Sequence, residues 1–234
     1  ILSLTKNYTR TEYLVLVGDD RVIPYYRVLD PTPREDYTEN DYVGIPITTT
    51  VGAALADNMS LTDDFYGNRI TATLGMLDVP ELAVGRLVET PEDILTAIQT
   101  FLTYNGQEMG TGLVVGVDFV QDAAQEVCAI LNNDLITTDC DLISDTWQLS
   151  QLETKLQSNA NNFVFLMTGA NHYSFSTPVI GQVLTVSTVI SWPMKFSGSI
   201  FYGQGGHEGL NVPPQAPIPW DWPQVFLRKG AFLL

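Results

Sequence analysis

Lysine, cysteine and histidine are all scarce in this 234-residue chain, and each scarcity narrows what the chain can be. Lysine occurs four times, and the 11 basic residues face 27 acidic ones, giving a formal net charge of −16. A surface of that sign repels phosphate backbones and anionic membranes, so nucleic acid is excluded as a partner. What remains is a solubilising acidic surface, calcium held by clustered carboxylates, or a preference for basic substrates. No stretch approaches ~18 uninterrupted apolar residues, which excludes a membrane-spanning helix in this segment. The longest candidate, Val179 to Ile190, is diluted by Gly181, Gln182 and several Thr and Ser.

The two cysteines allow one pairing. Cys128 falls on an expected helix and Cys140 just before an expected strand, so the pair can close in an oxidising compartment or remain as two buried thiols. Few lysines with abundant Thr, Asn and Tyr point to an extracellular or cell-surface protein. Ile1-Leu-Ser-Leu-Thr-Lys6 lacks the basic and apolar regions of a signal peptide, and Lys229-Gly-Ala-Phe-Leu-Leu234 stops in an apolar run. The segment is therefore expected to belong to a larger polypeptide.

Several apolar runs bounded by Gly read as buried strands: 13–18, 82–88, 113–117, 162–168 and 199–204. Between them lie helix signals. Thr90-Pro-Glu-Asp93 places a cap, a first-turn proline and two acids ahead of Ile94, Leu95, Ile98, Phe101 and Leu102, which share one helical face. Further helices are expected at 122–131, from Ser150 to about Gln157, near 179–190 and near 221–228. Residues 30–67, rich in Pro, Asp, Thr and Tyr, read as irregular with at most short strands. Alternation of strands and helices predicts an α/β fold with a mostly parallel sheet flanked by helices on both faces. Gly106 and Gly110 bracket a possible boundary, with an amino-terminal α/β subdomain over 1–108 and a second subdomain over 109–234.

Two strand ends hold the chemistry-bearing residues. Phe163-Val-Phe-Leu-Met-Thr-Gly-Ala-Asn-His172 and Ser199-Ile-Phe-Tyr-Gly-Gln-Gly-Gly-His-Glu-Gly209 each run from an apolar strand into a small-residue turn carrying histidine. Open α/β sheets place their ligand sites at such carboxyl ends. Two adjacent ends of this kind would deliver a base and a nucleophile, yet no Cys or Ser stands where the nucleophile is expected.

The order of these segments resembles the gingipain-type cysteine peptidases, a family with the caspase-like fold of clan CD. Tyr13-Leu-Val-Leu-Val-Gly-Asp19 with Ile23-Pro24, Thr62-Asp-Asp-Phe-Tyr66, and Pro80-Glu-Leu-Ala-Val-Gly-Arg86 carry the resemblance, followed by the two strand ends. It implies a His-Gly pair at the first end and a Cys within Gly-Cys-His-x-Gly at the second. There a thiolate would attack the scissile carbonyl, an imidazole would protonate the leaving amine, and backbone N–H groups would hold the oxyanion. Matched residue by residue, Ala170 and Asn171 stand where His-Gly is implied, with His172 two residues late. Gly206 stands at the nucleophile position, between Gly205 and His207, with Gly209 and Leu210 retained. The resemblance thus implies a peptidase homologue without its nucleophile.

Other residues carry weaker readings. His172 is a displaced base or a structural histidine; His207 ties down its turn, and two histidines without a third ligand give no metal site. Asp118 and Asp122 follow the third strand, where a basic substrate side chain could be read, or Asp122 caps the next helix. Asp19, Asp20, Asp63 and Asp64 could hold calcium, though none forms an EF-hand loop; solvated turn acids are the simpler reading. Trp192, Trp220 and Trp222, beside prolines, line a peptide groove or form a packed corner. The ligand class implied is a peptide or protein. The alternatives are an inactivated variant of an active secreted cysteine endopeptidase and a structural or binding module of a surface assembly.

Overall fold

In the computed structural model, the expected apolar runs at 113–117, 162–168 and 199–204 lie side by side in a parallel sheet that two further strands, at 137–143 and 232–233, bring to five. Residues 7–8, 10–30, 38–68, 80–104, 106, 108–134, 136–158, 161–196, 198–212 and 219–233 are described. The chain divides into two compact units, 1–89 and 90–234.

In the first unit, β1 (Tyr13–Val17) pairs in parallel with β4 (Ala83–Leu87), and β2 (Tyr26–Leu29) pairs antiparallel with β3 (Met59–Thr62). Three short helices accompany them: α1 (Glu39–Val43), α2 (Thr50–Ala56) and α3 (Asp64–Gly67). The expectation of an irregular 30–67 is corrected here, because Thr38 closes a capping box for α1 and the Thr49 hydroxyl accepts the Gly52 N–H to start α2. Such local side-chain caps start helices too short to show an apolar period.

Arg86 on β4 holds this unit together. Its guanidinium makes a two-pronged ion pair with Asp63, 2.5 and 2.7 Å, and donates to the carbonyls of Gly18 and Ile23. It also lies 4.3 Å from the Tyr25 ring centroid. The three stretches around Gly18, Asp63 and Arg86 therefore meet at one buried cation, whose five N–H groups suit a planar carboxylate and two carbonyls together. Gly18 is required at the first of them: it sits at φ +122, and a Cβ would fall 2.7 Å from Val22 Cβ.

The expectation that β1 is buried on both faces is corrected. Leu16 is buried, whereas Tyr13, Val15 and Val17 face outward. Side chains alternate along a strand, so an unbroken apolar run does not reveal whether one face or both are covered.

In the second unit the sheet order is β12-β11-β7-β5-β6. Its strands are β5 (Thr111–Gly116), β6 (Thr137–Ile143), β7 (Phe163–Met167), β11 (Ile200–Gln204) and β12 (Phe232–Leu233). The helices are α4 (Pro91–Tyr104), α5 (Gln121–Asn133), α6 (Leu149–Gln157), α7 (Val186–Ser191) and α8 (Trp222–Arg228). One sheet face packs Leu113, Val115, Val164, Leu166 and Phe201 against α6, α7 and α8. The other sets Val114 and Met167 against Ala124 of α5. This alternation produces the sheet with helices on both faces that the sequence predicts.

Three local expectations change. Residues 170–185 form an antiparallel meander, β8 (Ala170–Asn171), β9 (Ser174–Ser176) and β10 (Val183–Thr185), so the helix expected over 179–190 is only α7. The Thr185 hydroxyl accepts the Thr188 N–H and fixes that start. Cys140 lies within strand β6 and is joined to Cys128 of α5 by a disulfide. In α4 the apolar stripe faces out: Leu95, Ile98, Phe101 and Leu102 are exposed, while Asp93, Ala97 and Thr100 are buried. Asp93 turns inward because Arg228 of α8 grips both its oxygens, at 2.6 and 3.0 Å.

Candidate active site at the ends of β7 and β11

Strands β7 and β11 are neighbours in register, Met167 opposite Gln204, so their carboxyl-end turns leave the sheet side by side. Ala170 and Gly206 are brought together there. A Cβ built on Gly206 would lie 3.1 Å from the Ala170 carbonyl oxygen, and one on Gly205 would lie 2.6 Å from Ala170 Cβ.

Asn171 shapes the first turn. Its Oδ1 accepts the N–H groups of Tyr173 and Ser174 and the Ser174 hydroxyl, folding β8 back onto β9. A short polar side chain that satisfies amides two and three residues on is a standard way to close such a turn. His172 is carried to its tip yet is only 8% exposed. Its ring stands edge-on to Tyr173, centroids 4.8 Å apart, and its Nδ1 has no partner among the described residues. Burial, helped by the charge of His207, lowers its pKa to about 4. The imidazole is therefore neutral at physiological pH, a state in which it can accept or donate one proton but carries no charge.

The second turn, residues 205–209, folds over its own carboxylate. The Gly205 N–H donates to Glu208 Oε1 at 2.6 Å, and Glu208 is 7% exposed with Oε2 unpartnered among the described residues. Glycine is required at 203 and 205 because Glu208 lies against both: added Cβ atoms would fall 2.5 Å from its Cγ and 2.9 Å from its Oε2. The His207 carbonyl accepts the Leu210 N–H and closes the turn. Sequence reasoning missed Glu208; the one available sign was an acid inside an otherwise apolar and glycine-rich stretch.

The amino terminus of α8 clamps the first turn and the segment just after the second. Trp222 N–H donates to the His172 carbonyl at 3.0 Å. Asp221 Oδ2 accepts Val212 N–H and Asn211 Nδ2, and its Oδ1 accepts the Gln224 N–H of the capping box. Asp221 is 1% exposed, and burial raises its pKa to about 7 despite those three donors.

The remaining candidates lie elsewhere. Asp118 and Asp122 are exposed beyond β5, each carboxylate accepting the next residue's N–H, with Asp122 in the first turn of α5 rather than at its cap. In the first unit, Asp19 pairs with Arg21, Asp20 with Arg27 and Thr50, and Asp63 with Arg86, so these carboxylates are spent on cations of the chain itself. No group of three or more metal-ligating side chains occurs among the described residues. Trp192 and Trp222 are core residues, and Trp220 covers the Arg228 guanidinium at 3.9 Å. They form a packed corner.

Residues 2–176 match Peptidase family C25, and the chain belongs to that family. The match includes the first strand end and stops before the second. No curated protein sequence matches the chain. Two solved structures share the fold. One is the Arg-specific cysteine proteinase gingipain R, with TM-score 0.62 and 15% identity over 97% of this chain and 48% of that one. The other, described as a protease, has TM-score 0.57 and 14% identity over 92% of this chain and 42% of that one. The chain thus spans about half the length of each. It is a gingipain-family, peptidase-like α/β domain, and no helix among the described residues is long and apolar enough to cross a membrane.

Proposed function

We propose that this chain is a peptidase homologue without cysteine-peptidase chemistry, a gingipain-type scaffold that outlived its catalytic pair. The observation that carries this reading is Gly206, which stands at the turn after β11 where the resemblance calls for a nucleophilic Cys. Glycine offers no atom to form an acyl-enzyme. Both cysteines of the sequence are tied to each other on α5 and β6. Strands β5 and β7 separate β6 from β11 in the sheet, so neither sulfur can replace the missing thiol. Ala170 at the base position completes the loss. What the scaffold retains is a peptide- or protein-binding role or a structural one within a larger protein. The disulfide supports an extracellular or cell-surface setting, where such bonds persist.

The test is treatment of the chain with peptidyl chloromethyl ketones and a mixed fluorogenic peptide library. Neither covalent labelling nor turnover is expected. An acyl-enzyme, or inhibitor attached within residues 203–209, would overturn the proposal.

A further inference from the structure

A buried carboxylate stands beside the degenerate centre, at Gly205 rather than at Gly206 itself. Glu208 reaches back over its own turn to take the Gly205 N–H, and its second oxygen points between the two strand ends without a partner among the described residues. The point where a Gly205 Cβ would lie is 2.9 Å from that oxygen, 2.6 Å from Ala170 Cβ and 2.8 Å from the Thr168 carbonyl. The carboxylate, the base position and the carboxyl end of β7 therefore face one another across one residue's width.

We propose that Glu208 is the turn's own ligand: its carboxylate occupies the Gly205 N–H subsite that would otherwise receive a peptide carbonyl or a carboxylate. This rests on reading residues 205–209 as the vestigial nucleophile turn. Backbone N–H groups at such turns bind anionic or carbonyl oxygen, and an internal carboxylate on a short tether competes at high effective concentration. The packing agrees, since glycine at 203 and 205 is what allows the Glu208 side chain to lie flat against β11. A buried anion here opposes peptidase chemistry in two ways. It would raise the pKa of a thiol at 206, and it would pair with a cation at 170.

Two measurements test this. In the unmodified chain, the Gly205 amide proton should resonate well downfield because it donates to a carboxylate, and Glu208→Gln should move it upfield. In a Gly206→Cys background, iodoacetamide alkylation at pH 7 should be at least about fivefold faster once Glu208→Gln is added, because the thiolate fraction rises as its pKa falls. A Gly205 amide unmoved by Glu208→Gln, or equal alkylation rates in the two backgrounds, would overturn the role of Glu208. Either result would leave the missing nucleophile untouched, so the two proposals fail separately.

Discussion

Gly206 and Ala170 face each other across the ends of two paired strands, with 3.1 Å between the Gly206 Cβ position and the Ala170 carbonyl oxygen. These are the two positions where the gingipain resemblance calls for Cys and His. Their juxtaposition follows from the register of β7 and β11, with α8 holding the first turn and the segment just after the second.

Two glycines of this turn, Gly205 and Gly209, differ sharply in what surrounds them. A Cβ at Gly205 meets Ala170 Cβ at 2.6 Å and the Thr168 carbonyl at 2.8 Å, while one at Gly209 meets nothing within 4 Å. Gly205→Ala should cost about 1–3 kcal/mol through overpacking against backbone that cannot yield. Gly209→Ala should stay within about 0.5 kcal/mol of the parent. Urea denaturation of both variants checks this, and equal midpoints would refute it.

Stability against pH should reveal two opposed titrations. Asp221 has its pKa raised by burial from 3.8 to about 7, so in this window the folded state holds a proton that the unfolded chain releases. Its contribution is fully present below pH 3.8 and is lost as pH rises to 7, by roughly 4 kcal/mol at most. His172 runs the other way. Its folded pKa of about 4 lies below 6.5, so stability present above pH 6.5 is lost as pH falls toward 4, by roughly 3 kcal/mol at most. The parent should therefore show a shallow profile between pH 4.5 and 6.5. His172→Gln should lose stability steadily from pH 4.5 to 7, and Asp221→Asn should gain it from 4.5 to 6.5. Parallel profiles for all three proteins would contradict the assignment.

Much of this was legible in the sequence, for identifiable reasons. Three parallel strands of the second unit, β5, β7 and β11, announced themselves because burial on both faces demands unbroken apolar runs, as in Phe163–Met167. At the sheet edge, β6 carries Thr and Asp and showed no such run. The face of α4 was not legible. Its apolar stripe looks like a core stripe, and only the grip of Arg228 on Asp93, 135 residues away, shows which side turns inward. The meander at 170–185 was hidden because its first turn rests on the hydrogen bonds of one side chain, Asn171, which leave no periodicity to read. At the site, Gly206 and Ala170 could be matched by motif. Glu208 could not, since its importance lies in folding back onto Gly205.

The disulfide offers an independent check on the second unit. Cys128 and Cys140 are 12 residues apart, and both pack beside the small core of Val114, Ala124 and Met167. A loop of that length stabilises chiefly by restricting the unfolded chain, by about 3 kcal/mol. Cys128→Ser with Cys140→Ser should lower the unfolding free energy by about that amount in urea, whereas reductant should have no effect on the double variant. Unchanged stability would show that the pair is not closed in the folded protein.

Restoring the missing pair should show whether the scaffold still holds its geometry. Gly206 has no positive φ, so Gly206→Cys faces only the Ala170 carbonyl at 3.1 Å, a contact that a few tenths of an ångström can relieve. Ala170→His keeps the existing Cβ and returns an imidazole to the end of β7. Base and nucleophile act as a unit, so either change alone should give little or no activity, and the double variant should give weak thiol-dependent cleavage of peptide substrates. Glu208 would still pair with the new imidazole, so adding Glu208→Gln should raise the rate further, by about tenfold or more. If Gly206→Cys alone already cleaves peptides, His172 supplies the base from its turn, and its neutral state is the physical reason it could. A folded triple variant that fails to react with chloromethyl ketones or iodoacetamide at residue 206 would defeat the idea that these two strand ends form a peptidase centre.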